Sequence, residues 1–222
     1  RDWSSDVCSS DLAGQTLQGS GAVAVGVSAG LSTQGASAVA IGSSSGYTQQ
    51  GSGAVAIGVN AGSGTQGINA AAFGPNAGRT QQGTSAVAIG DSAGTNTQGQ
   101  NAVAIGLQAG QTQQGVSAVA IGSSAGASTQ SSGAVAIGPA AGQTAQGLSA
   151  VAIGANAGVS TQSQYAVAVG PSAGWTLQGA SAVAIGASAG ANTQGSGAVA
   201  IGPDAGSVAQ TSNSVAIGSG AG

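Results

Sequence analysis

The chain is patterned by a short alternation of small and branched apolar residues, Ala-Val-Ala-Ile-Gly, which returns every 16 residues from Ala22 to Ser214. Between copies the sequence is polar, rich in Ser, Thr, Asn, Gln and Gly; residues 86–101 read AVAIGDSAGTNTQGQN. Twelve full units run from residue 22 to 213, with partial units at both ends, so residues 13–222 are expected to be one segment of a longer array. Apolar residues with period 2 predict a short strand over Val-Ala-Ile. The several Gly in each unit exclude a helix, at about 1 kcal/mol apiece in a helix interior. A flexible linker, the usual reading of Gly/Ser/Gln-rich sequence, does not need branched residues at fixed places.

The repeats can be compared with one another. With the unit numbered from the first Ala of the motif, position 3 is Ala, and positions 5 and 9 are Gly, in all thirteen copies. Position 13 is Gln from Gln34 to Gln210. Position 2 is Val except at Ala71, and position 4 is Ile except at Val25, Phe73 and Val169. Positions 6, 10 and 15 vary freely; position 10 alone holds Leu31, Tyr47, Arg79, Gln111 and Trp175. Gly at positions 5 and 9 reads as turn residues, where a positive φ or a close backbone approach suits Gly alone. A second extended segment is expected at positions 10–14. Two strands and two turns in 16 residues make one coil of an all-β, parallel β-solenoid. Thirteen coils stacked at about 4.8 Å predict a rod of roughly 60 Å.

Both faces of the Ala-Val-Ala-Ile strand are nearly constant, whereas a solvated face drifts as positions 6, 10 and 15 do. A thin coil has room inside for Ala, Ala and Gly, which leaves Val and Ile pointing outward in a continuous stripe. Burial of such a side chain is worth about 1.5–3 kcal/mol, and a stripe of this extent does not stay in water. The simplest cover is further copies of the same chain. The constant Gln predicts an amide ladder, each side chain bonding its neighbour one coil up.

A second period runs through the Thr residues. Thr33, Thr65, Thr97, Thr129, Thr161 and Thr193 sit at position 12; Thr16, Thr48, Thr80, Thr112, Thr144 and Thr176 sit at position 11. Pro75, Pro139, Pro171 and Pro203 all fall in the second class. The alternation is read as duplication of a pair of units. The structural alternative is a 32-residue coil with successive strands on opposite sheets and Val/Ile inside.

Composition narrows the chemistry. Only seven of the 222 residues are charged, and His, Lys, Glu and Met are absent. General acid–base catalysis and Ser–His or Cys–His nucleophiles lose their residues. A zinc site loses its His, and two Arg cannot neutralise a nucleic-acid backbone. No catalytic, cofactor or metal residue is singled out, and no enzyme activity is expected. Asp91 and Asp204 are seven repeats apart, about 34 Å along a stacked rod, too far to act as a pair. No apolar run approaches the length of a membrane helix.

Residues 1–12 match none of the repeats. Residues 2–12 resemble the in-frame translation of a sequencing adapter and are expected to be foreign to the native protein. Their exclusion removes Trp3, the single Cys8 and four of the seven charges, leaving Arg79, Asp91 and Asp204.

The motif SAVAIG-x-x-AG, as at residues 85–94, resembles the head repeats of YadA-like trimeric autotransporter adhesins; residues 213–218 read NSVAIG. The resemblance covers residues 13–222. It implies a left-handed parallel β-roll, a homotrimer packed through the Val/Ile stripe, and a place on a Gram-negative outer membrane, with attachment to a host or matrix surface. The 16-residue unit is longer than that family's common repeat, and the Thr-Gln-Gly element at residues 97–99 is additional. Similar arrays occur in phage and viral fibre proteins, which are also trimeric.

Three functions follow as expectations. The first is a structural and adhesive segment of a trimeric surface fibre, on a bacterium or a virion. The second is a monomeric solenoid that binds ice through its Thr rows, against which the split of Thr between two positions counts. The third is an amyloid-like matrix subunit, disfavoured by the frequent Gly and the Pro residues. Single ligand-contact residues are not legible, the exposed aromatics Tyr47 and Trp175 being the best exceptions.

Overall fold

A computed structural model describes residues 12–222; the rest of the segment read as adapter-derived, with Trp3 and Cys8, lies outside the described residues. The chain divides into two compact units, Arg1–Thr112 and Gln113–Gly222. No helix is present among the described residues.

In the first unit, three-residue strands occupy positions 2–4 of each repeat: Val23–Val25, Val39–Ile41, Val55–Ile57, Ala71–Phe73, Val87–Ile89 and Val103–Ile105. Two-residue strands at positions 12–13 run from Leu17–Gln18 through Thr33–Gln34 to Thr97–Gln98. The second unit repeats the scheme, with Val119–Ile121 to Val215–Ile217 as its wider strands and Gln113–Gln114 to Ala209–Gln210 as its narrower ones. Each unit is thus a stack of coils with two parallel sheets, a Val/Ile sheet and a Thr/Gln sheet. The second segment expected at positions 10–14 is shorter than anticipated: the chain bends at position 11, and only positions 12 and 13 pair as strand.

Pairing is in register at an offset of one repeat. Val39 pairs with Val55, Ala40 with Ala56 and Ile41 with Ile57; Val135, Ala136 and Ile137 pair likewise with Val151, Ala152 and Ile153. Successive Val-Ala-Ile strands are therefore neighbours in one sheet. This overturns the 32-residue coil, which needs them on opposite sheets. The Thr alternation is variation between adjacent coils of 16 residues.

The interior is built almost wholly from Ala. Positions 1, 3 and 8 supply it, as at Ala86, Ala88 and Ala93, each 0% exposed. Gln at position 13 fills the remainder. At position 8 of one coil Ser45 replaces Ala, and its buried hydroxyl donates to the Gly42 carbonyl at 2.9 Å. Strand alternation then forces Val and Ile outward, as the sequence implies.

Two tight turns close each coil. In the first, the position-8 amide bonds the position-5 carbonyl, as Ala61 N to Gly58 O at 3.2 Å. Its third residue has positive φ, +57° at Asn60, while the second does not, which defines a type II turn. That turn favours Pro second, and Pro75, Pro139, Pro171 and Pro203 occupy that place. The second turn joins position 14 to position 1, as Ala70 N to Gly67 O at 3.2 Å, with Asn69 at φ +56°. The positive φ expected at positions 5 and 9 is present: Gly90 lies at +124° and Gly142 at +52°. A Cβ on Gly90 would also meet the Gly106 carbonyl oxygen of the next coil at 2.7 Å.

Candidate functional site

The buried polar ladder is a structural element. Gln at position 13 starts on the Thr/Gln sheet and crosses the coil. The Nε2 of Gln130 donates to the Val119 carbonyl at 2.7 Å, and that of Gln162 to the Val151 carbonyl at 2.7 Å. The expected bond one coil up is also present: Gln130 to Gln146 Oε1 at 3.0 Å, then Gln146 to Gln162 at 3.2 Å and Gln162 to Gln178 at 3.0 Å. Sequence reasoning anticipated the ladder and missed the cross-coil bond. The missing signal was that the position-2 backbone carbonyl lies within reach of the position-13 side chain across the coil. In the first unit the ladder is broken, and the Oε1 atoms of Gln50, Gln66 and Gln98 are buried without a partner.

Because each Gln spans from one sheet to the other, the outer faces of the two sheets point in opposite directions. In each unit the outer face of the Val/Ile sheet is a ribbon of branched apolar side chains. Ile41, Ile89, Ile121, Ile137, Ile153 and Ile201 are each 36–39% exposed. The Val residues between them are half-buried by their neighbours in the stack. Phe73 continues the ribbon in place of Ile. Exposed apolar residues at the flanking positions 6 and 15 broaden it in some coils: Val59 with Ile68, and Leu107 with Val116. No charged side chain occupies position 2 or 4 in any repeat.

The opposite face carries the Thr/Gln strands. In the first unit Thr33 pairs with Gln49, Gln49 with Thr65, Thr65 with Gln81 and Gln81 with Thr97. Thr therefore alternates with Gln and forms no unbroken row on the strand. Tyr47 and Trp175 are both exposed at the bend before the narrow strand, in the first and second unit respectively. Asp91 accepts a bond from the Ser92 hydroxyl at 2.7 Å, and Asp204 occupies the positive-φ corner of a type II turn in the second unit.

Among the described residues no group of His, Cys, Asp or Glu is arranged to hold a metal ion. No helix among them is long and apolar enough to cross a membrane. Comparison with protein-family models, with curated proteins and with solved structures gives no match.

Proposed function

We propose that residues 13–222 are a structural and adhesive segment of a surface fibre, assembled as a homotrimer through the outward Val/Ile face. The observation that supports this is the apolar ribbon itself. In every coil but the one with Ala71 and Phe73, the residues constant enough to belong to a core, Val and Ile, lie outside the coil. Contiguous apolar surface on this scale marks an association site. The reading makes each coil a spacer whose inner face is fixed by Ala and Gln and whose outer apolar face meets its equivalents from other chains. The stoichiometry of three follows the resemblance of the SAVAIG arrays to trimeric adhesin heads, and so does a place on a bacterial outer surface. A virion fibre suits the same architecture. The role is non-catalytic, in keeping with a chain that has no His, Lys or Glu. The alternation of Thr with Gln, Ala or Leu on the opposite face disfavours a flat ice-binding array.

The test is the solution mass of the 222-residue chain by light scattering after size exclusion, beside the same chain fused to a trimerising coiled coil. A mass three times the 20.0 kDa of one chain, or a cooperative fold only in the fusion, supports the reading. A compact, stable monomer overturns it.

A further inference from the structure

A cleft opens between the position-7 corners of the turn that follows the Val/Ile strand and the residues at positions 10 and 11. In three consecutive coils positions 10 and 11 read Tyr47-Thr48, Ser63-Gly64 and Arg79-Thr80. Gly64 is the one Gly at position 11, and the short Ser63 sits between two long side chains. A Cβ on Gly64 would run into the Thr80 carbonyl oxygen of the next coil, so only Gly fits there. Its amide donates to the Arg79 carbonyl at 2.7 Å, in line with the other coil-to-coil bonds from position 11. The open cleft there has a volume of about 380 Å³ and is lined also by Ser44, Asn60, Ser63 and Gly64. Tyr47 stands at one end and Arg79 at the other, two coils and so about 10 Å apart along the stack.

Arg79 is the single cationic side chain among the described residues, and it is exposed. Asp91, the one described carboxylate of this unit, is held by Ser92. A chain that otherwise avoids charge thus places a cation at the border of this open cleft, in the same lining as an aromatic ring and several hydroxyl groups. Each part fits one ligand chemistry. A Tyr ring offers an apolar face with a polar tip. The guanidinium fork matches a carboxylate through two parallel bonds. The Ser63 and Thr80 hydroxyls and the Asn60 amide suit a ligand dense in hydroxyl groups. The volume lies near the lower end of small-molecule sites, about 300–1,000 Å³.

We propose that this cleft binds an acidic pyranose, its carboxylate on Arg79 and its aliphatic ring face on Tyr47. The proposal goes beyond the fibre reading. The cleft is lined by turn and bend residues, none of them a Val or Ile of the assembling face.

The test is calorimetric titration of the 222-residue chain with trigalacturonate, beside neutral galactotriose and a sulfated galactotriose. The expected result is saturable uronate binding at least about tenfold tighter than that of the neutral sugar. Arg79→Gln should remove most of that preference, while Tyr47→Ala should weaken both the acidic and the neutral sugar. Gln111 and Ala127 hold position 10 in other coils, so both variants suit the fold, and a thermal melt checks it. Absence of saturable uronate binding, or binding that neither variant changes, overturns the proposal. A stronger response to the sulfated sugar than to the carboxylated one overturns the carboxylate assignment. Masses measured on the same samples separate the two readings, since a monomer that binds uronate sinks only the fibre.

Discussion

The Nε2 of Gln146 lies 2.6 Å from the carbonyl oxygen of Val135, on the opposite sheet of the same coil. The same amide reaches the Ala150 carbonyl at 3.2 Å and Gln162 Oε1 at 3.2 Å, and its own Oε1 accepts from Gln130 at 3.0 Å. One buried side chain therefore ties two sheets and three coils together. Gln50 makes fewer of these bonds: its amide donates to the Val39 and Ala54 carbonyls, and its Oε1 is unpartnered. Truncation to Ala at either site leaves a cavity and strands backbone acceptors, a loss of about 2–4 kcal/mol. Gln146→Ala should cost about 1 kcal/mol more than Gln50→Ala, the worth of the extra hydrogen bonds. Urea midpoints of the two variants check the order.

Gly at position 5 meets two constraints at once. At Gly90 an added methyl group would sit at φ +124° and 2.7 Å from the Gly106 carbonyl oxygen. Backbone strain and overpacking each cost about 1–3 kcal/mol, so Gly90→Ala should destabilise by about 2–6 kcal/mol. Stacked coils contact only their neighbours, so the damage should be local. Hydrogen exchange should quicken in the coils beside residue 90 and stay slow several coils away.

Tyr165 is a site of improvement. It is the third residue of a type II turn at φ +60°, where other coils place Ser, Asn or Gly, and half of its side chain is in solvent. A bulky residue is strained there, and Asn tolerates the conformation. Tyr165→Asn should raise stability by up to about 1 kcal/mol, read as a higher thermal midpoint.

The apolar ribbon can be broken without breaking the coil. Ile137 and Ile153 are paired neighbours in the Val/Ile sheet and both point outward at 37% exposure. The double variant Ile137→Asp, Ile153→Asp should keep its far-ultraviolet circular dichroism and lose association, read as a fall in solution mass. With only Arg79, Asp91 and Asp204 charged beyond residue 12, assembly of the unsubstituted chain should be insensitive to moderate sodium chloride. Sulfate, which strengthens apolar burial, should tighten it.

The parts of this fold that were legible in the sequence are those that repeat at fixed places. Ala at position 3 and Gly at positions 5 and 9 revealed the thin interior and one of the turns, and the polar constancy of position 13 revealed the ladder. Less was legible where a position varies within a class. Position 7 holds Ser28, Asn60, Gln108, Ala140 and Asp204, yet all share a φ near +57°. The common factor is a backbone shape that several small or polar residues tolerate, which residue identity alone blurs. The four Pro marked the same turn, but they read as a sign of duplication until the bond from position 8 to position 5 explained them. The cleft was harder still. Tyr47 stood out as an exposed aromatic, but the absence of a side chain at Gly64 and the proximity of Arg79 two coils on became meaningful only with the pairing register.

That register has a kinetic side. Within each unit every strand pairs with the residue sixteen places on, and each interface is chemically almost the same as the next. A coil laid on the wrong neighbour, with one whole repeat looped out, meets nearly the contacts it would have met in the right place. Errors of this kind cost the looped coil and little else, so the growing stack has weak means of rejecting them. The same indifference makes the gene forgiving. Loss or gain of one repeat by slippage during copying leaves every remaining interface intact, and length becomes the property of this protein most open to variation.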